Sequence, residues 1–153
     1  MRPPPCPENR TFGPARPDCE VASAILPPVG NFRHCFEVLD PSGQRAAQVD
    51  AIVDTGSAYT WVPRAVLQGF GYRPAFQRKF KLADGSLSER DVVEALVRLE
   101  GQTLHTLCVF ADPPAEPLLG AITLEAFALG VDPVQQNLIP VVLLAVGNLP
   151  VPE

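Results

Sequence analysis

Lysine is scarce in this chain, with two residues against ten arginines, and no run gathers the basic side chains together. At a formal net charge of −5 the chain lacks the basic surface a nucleic-acid partner demands. It also lacks a long apolar run. The longest stretches, such as Val141 to Val146, fall far short of the ~20 residues that cross a bilayer, so no membrane span is expected. Met1-Arg2-Pro3-Pro4-Pro5 shows no apolar segment of the secretory type, and a cytoplasmic protein is expected. The four cysteines, Cys6, Cys19, Cys35 and Cys108, are irregularly spaced and form no C-x-x-C pair. Free thiols are therefore expected rather than disulfides. Ligand types do meet at His34-Cys35 and at His105-x-x-Cys108, but both segments read as strands, and neither a metal nor another cofactor is expected. No segment of the chain repeats another.

What is present suits one folded domain. The chain has 153 residues, 46% of them hydrophobic and 19% charged, enough to bury a core. Residues 1–20 are proline-rich without apolar periodicity and read as a flexible extension, which places the domain at 21–148 and a short tail at 149–153. Phe32 to Leu39 and Gln44 to Val53 read as a hairpin around Asp40-Pro41-Ser42-Gly43. A short helix is predicted over Arg64 to Phe70, between Pro63 and Gly71. Phe76 to Ala83 and Ser88 to Leu99 flank Asp84-Gly85, the strongest hairpin signal in the chain. Gly101-Gln102 turns the chain into a strand from Thr103 to Ala111, which Pro113-Pro114 ends. Leu118-Leu119-Gly120 reads as a brief strand, Ile122 to Leu129 as a helix stopped by Gly130, and Leu138 to Val146 as a last strand. The sum is a β-rich domain with too few helices for a parallel βαβ sheet.

The chemistry gathers at Asp54. Ala51-Ile52-Val53 is an apolar strand that runs into Asp54-Thr55-Gly56-Ser57, where the glycine permits a sharp turn. Asp-Thr-Gly is also ordinary turn chemistry, so a capping role is the plain alternative. A lone carboxylate does not hydrolyse a peptide. Two carboxylates sharing one proton do, because one withdraws a proton from water while the other donates a hydrogen bond to the carbonyl. Such a pair titrates as a unit. The chain holds one Asp-Thr-Gly only, and Ala83-Asp84-Gly85-Ser86 lacks the intervening hydroxyl residue.

Ile52-Val53-Asp54-Thr55-Gly56-Ser57, followed by Trp61-Val62-Pro63, resembles the active-site turn of aspartic proteases. With one motif in a chain half the length of a pepsin, and with the order Asp turn, hairpin, two strands, Leu118-Leu119-Gly120 and helix, it resembles the retropepsin-like family, in particular small cellular and prokaryotic members. The resemblance covers roughly Val21 to Val142. It implies a mainly β acid-protease fold: a closed β-rich barrel with a flap hairpin and one or two short helices, working as a homodimer on a peptide or protein substrate. It also implies roles. Asp54 and its symmetry mate would form the dyad, Thr55 would cross the two-fold axis, Gly56 would offer its carbonyl to substrate, and Ser57 would bond the outer carboxylate oxygen. Ala83, Asp84, Gly85 and Ser86 would form the flap tip over the substrate, and Leu119 and Gly120 would pack behind the Asp turn. Ala58 stands where viral members place a substrate-binding aspartate, and Ala121 where they place an arginine that buttresses the dimer. An aspartic endopeptidase is the leading expectation; a catalytically weak or inactive dimerisation or peptide-binding module is the alternative.

Overall fold

The computed structural model describes residues 31–145. The expected 1–20 extension, the domain start at Val21, the 149–153 tail, Cys6 and Cys19 lie outside the described residues.

The first hairpin joins β1 (Arg33–Leu39) to β2 (Ala46–Val53), with Leu39 opposite Ala46. Asp40 builds the turn. Its carboxylate accepts the N–H groups of Gln44 and Arg45 at 2.9 and 3.0 Å and the Ser42 hydroxyl at 2.8 Å, while Gly43 takes a φ of +74°. Those donors, the Arg45 amide foremost, hold the Asp40 carboxyl below the usual carboxylate range. Next come β3 (Thr60–Pro63) and α1 (Arg64–Gly69), a helix entered through Pro63. The second hairpin pairs β4 (Phe76–Lys81) with β5 (Leu87–Leu99), and β5 turns at Glu100-Gly101 into β6 (Gln102–Ala111). Both turn residues have positive φ, as a two-residue hairpin loop requires. After the prolines come β7 (Leu118–Leu119), α2 (Ala121–Ala126), β8 (Leu129–Asp132) and β9 (Asn137–Pro140).

Seven strands share one sheet in the order β1-β2-β7-β3-β6-β5-β4, and β1 pairs with β5 as well as with β2. The β2–β7 and β3–β6 pairs are parallel. The molecule is mainly β, with two short helices among the described residues. Its main core draws Phe36, Val38, Val53, Val62, Leu67, Val97, Phe110, Leu119 and Phe127 from almost every element. A smaller core forms around Trp61, Val92, Val109 and Ala111.

Three expectations need correction. The second helix ends at Ala126, and the left-handed residue behind it is Ala128 (φ +53°), not Gly130. Gly130 lies in β8 opposite Ile139, where an added Cβ would stand 2.7 Å from Val141 Cγ1. The last strand stops at Pro140: its partner β8 begins at Leu129, directly opposite, and the residue before it, Ala128, is left-handed and takes only the Val141 amide. Lastly, Cys35 is disulfide-bonded, against the expectation of free thiols. Bonding follows from how the fold places sulfurs rather than from their spacing in sequence. Cys108 is a free thiol in the core, and burial pushes it up to about 12.

Candidate active site

Asp54 stands at the C-terminal end of β2, half-buried, where the chain leaves the sheet. Its N–H donates to Leu119 O at 3.0 Å, which continues the parallel pairing of Ile52 and Val53 with Leu118 and Leu119. Its carbonyl accepts Ser57 N–H at 3.1 Å and closes the turn. The carboxylate Oδ1 accepts Gly56 N–H at 2.9 Å, and among the described residues Oδ2 takes no hydrogen bond. Thr55 and Gly56 are exposed. The Ser57 hydroxyl donates to Tyr59 O at 2.9 Å rather than to the Asp54 carboxylate, so its hydrogen serves the turn's own backbone.

A second turn backs the first. Three successive amides, from the last residue of Leu-Leu-Gly onward, point at the Asp turn and the start of β3: Gly120 N–H donates to Thr60 Oγ1 at 3.1 Å, Ala121 N–H to Ser57 O at 2.8 Å, and Ile122 N–H to Ala58 O at 3.1 Å. These amides belong to the start of α2, which has no side-chain cap; the Asp turn supplies the acceptors a cap would otherwise provide. The approach is close. A Cβ on Gly120 would stand 2.3 Å from Tyr59 O and 3.0 Å from Ser57 O, so only glycine fits. Leu119 is fully buried beside it.

The hairpin tip is built from its own residues. Leu82 N–H donates to Ser86 O and Gly85 N–H to Leu82 O, at 2.8 and 2.9 Å, and Gly85 has a φ of +85°. Asp84 accepts the Ser86 hydroxyl at 2.6 Å and the Ser86 amide at 2.8 Å, which hold its carboxyl below the usual range, the hydroxyl most. Ala83, Asp84, Gly85 and Ser86 are all exposed. The end of β4 nearest the tip touches the Asp turn: the Phe80 ring meets Tyr59 and Trp61 edge-on, with centroids 5.5 and 5.6 Å apart. Trp61 is core, and Tyr59 is half-buried beside it. Of the two histidines, His34 Nε2 lies 2.8 Å from Glu100 Oε1, and His105 is exposed on β6.

The family model described as aspartyl protease matches residues 42–123, which span β2, the Asp turn, the hairpin and the Leu-Leu-Gly turn. The chain belongs to the aspartyl protease family. Among solved structures, the solution structure of simian foamy virus (mac) protease matches it at a TM-score of 0.45 and 21% identity, over 63% of this chain and 94% of that one. No curated protein matches. Behind the Asp turn the hydroxyls of Thr60, Thr106 and Thr123 meet, three residues not expected from the sequence to belong to the site. Threonine on a strand is an ordinary β-former, and nothing in the linear pattern marks these three.

Proposed function

We propose that the chain is a homodimeric aspartic endopeptidase in which Asp54 and its symmetry mate form the catalytic dyad. The observation that carries this reading is the single Asp-Thr-Gly turn, held through its backbone by the Leu-Leu-Gly turn, with an Asp54 oxygen open to a partner. One motif per chain makes a second copy necessary, and a closed two-fold interface supplies it. In the proposed mechanism the pair shares one proton. One carboxylate withdraws a proton from the attacking water, the other donates to the scissile carbonyl, and no covalent intermediate forms. Thr55, exposed beside Asp54, would bond the partner's turn across the axis, and the Gly56 carbonyl would grip the substrate backbone. Ser57, whose hydroxyl serves Tyr59 O in the single chain, would act through the shape of the turn. The tip from Ala83 to Ser86 would close over an extended peptide. Pairing of β1 with both β2 and β5 supports reading the sheet as a closed retropepsin-like barrel.

The second reading is a dimerisation or peptide-binding module with little turnover. Ala58 and Ala121 favour it, since neither can grip a substrate or brace a partner with charge. Cleavage of a mixed peptide library from acidic to neutral pH separates the two. Wild type should cleave and be blocked by a statine-type inhibitor, and Asp54→Asn should lose at least a hundredfold in kcat, the scale of losing an acid–base group. Equal cleavage by Asp54→Asn would overturn the enzyme reading.

A further inference from the structure

Behind the Asp54 turn, in a core that is otherwise mostly apolar, three threonine hydroxyls form a chain. Thr60 Oγ1 and Thr123 Oγ1 lie 2.6 Å apart, and Thr123 Oγ1 and Thr106 Oγ1 2.8 Å apart. Thr60 Oγ1 also accepts the Gly120 amide at 3.1 Å. Thr60 and Thr123 are fully buried and Thr106 nearly so, at 5% exposure. Each comes from a different element: Thr60 opens β3, Thr123 lies in α2 and Thr106 lies within β6. Three hydroxyls carry three hydrogens for two O–H···O links, so the chain is satisfied in either polarity.

We infer that Thr60, Thr123 and Thr106 are positioning residues for the Asp54 carboxylate. The inference rests on the reading of Asp54 as half of a dyad. Apolar packing is non-directional and would let the two turns slide, whereas short hydrogen bonds in a dry interior fix direction as well as distance. The chain pins the Gly120 amide to the start of β3 and anchors α2 to β6. The neighbouring amides of Ala121 and Ile122 hold Ser57 O and Ala58 O, and Leu119 O holds the Asp54 amide. Position therefore passes from β6, deep in the sheet, through three hydroxyls and three amides to the residue that must meet its mate at proton-sharing distance. A small displacement there weakens the coupling of the two carboxylates. Their two apparent pKa values then approach each other, and the pH window in which one proton is shared narrows.

The test compares Thr123→Val, which keeps the shape and removes the hydroxyl, with Thr123→Ser, which keeps the hydroxyl and removes a methyl. Expected for Thr123→Val is a kcat roughly 10- to 100-fold lower, the cost of misplacing a reacting group by up to about an ångström. KM should stay within about twofold and the pH–rate bell should narrow, since the hydroxyls touch no substrate. Thr123→Ser should recover kcat and the width of the bell even where its Tm is lower. Thr106→Val, at the far end of the chain, should show the same pattern more weakly and serves where Thr123→Val fails to fold. A valine variant as active as wild type per folded molecule would overturn the inference, and so would a serine variant as impaired as the valine. Amide hydrogen exchange gives a readout that does not depend on turnover. Exchange in Thr123→Val should quicken at residues 54–60 and 119–122 while the β5–β6 ladder at Val97 stays protected. If wild type is itself inactive, the dyad reading fails, and this pattern alone still tests the positioning role: a uniform change, or none, would reject it.

Discussion

Gly120 shows how closely the site is built at the scale of single residues. A methyl group there would collide with the Tyr59 carbonyl at 2.3 Å, and that carbonyl already accepts the Ser57 hydroxyl, so it cannot retreat freely. Gly120→Ala should therefore push the two turns apart. Overpacking of this kind costs about 1–3 kcal/mol, and kcat should fall more than stability implies, because the displaced element is the one that carries Asp54. Thermal melts read beside cleavage kinetics check this; an alanine variant with wild-type kcat would mean that the contact is not rigid. The turn from Asp54 to Ser57 was legible in the sequence as a candidate site because a motif marks it, and the packing of Leu119-Gly120 behind it because that segment follows in the order the resemblance implies. The destination of the Ser57 hydroxyl and the buried threonines were not legible. They depend on which backbone atoms the fold brings within 3 Å of one another, and residue type carries no trace of that.

At the scale of elements, an ion network joins α1, the root of the hairpin and the end of β6. Arg64 Nε donates to Asp112 Oδ1 at 2.6 Å, and its NH2 donates to both Asp112 Oδ2 and Asp91 Oδ2 at 3.0 Å, while Gln77 donates to Asp91 Oδ1 at 3.0 Å. Arg64 holds the Asp112 carboxyl below the usual range, and Gln77 followed by Arg64 does so for Asp91. A depressed folded-state pKa contributes stability above the unfolded value of about 3.9, and that contribution is lost as pH falls through the folded value. Arg64→Met should thus cost roughly 1–2 kcal/mol at pH 7, a figure reduced for partial exposure, and the two melting curves should converge as pH falls through the folded values of Asp91 and Asp112. A gap that stays constant through the acid titration would assign the effect to packing of Arg64 on Phe110, whose ring centroid lies 5.0 Å from the guanidinium carbon. The two hairpins were readable because Asp40-Pro41-Ser42-Gly43 and Asp84-Gly85 are turn chemistry that acts locally. β3 and β8 were not. Each has four residues and is defined by its pairing, β3 with a strand more than forty residues away and β8 with one that follows it closely.

For the whole molecule, the proposed reaction has a concentration dependence that a self-contained active site would not show. If each chain supplies one Asp54, the site vanishes with the dimer, and specific activity must fall on dilution through the dissociation constant. On the proposed reading the second copy needs an exposed surface, and the end of the described chain is one candidate. Val141 N–H is tied to Ala128 O at 2.9 Å, but the residues that follow are apolar and open, with Val142 at 99% and Leu144 at 89% exposure. Leu138 to Val146 was expected as a last strand, whose apolar residues suit a core strand or a pairing edge, and the part beyond Pro140 has no strand partner within the described residues. Val142→Asp with Leu144→Asp places two like charges per chain in that segment, four across a two-fold interface. The variant should sediment as monomer at concentrations where wild type is dimeric, and its activity per chain should approach wild type only as protein concentration rises. Its Tm as a monomer should match that of the dissociated wild type, because neither side chain is part of the core. A variant that remains dimeric and active would place the interface elsewhere. A wild type that stays monomeric at high concentration and still cleaves peptides would remove the two-fold dyad altogether.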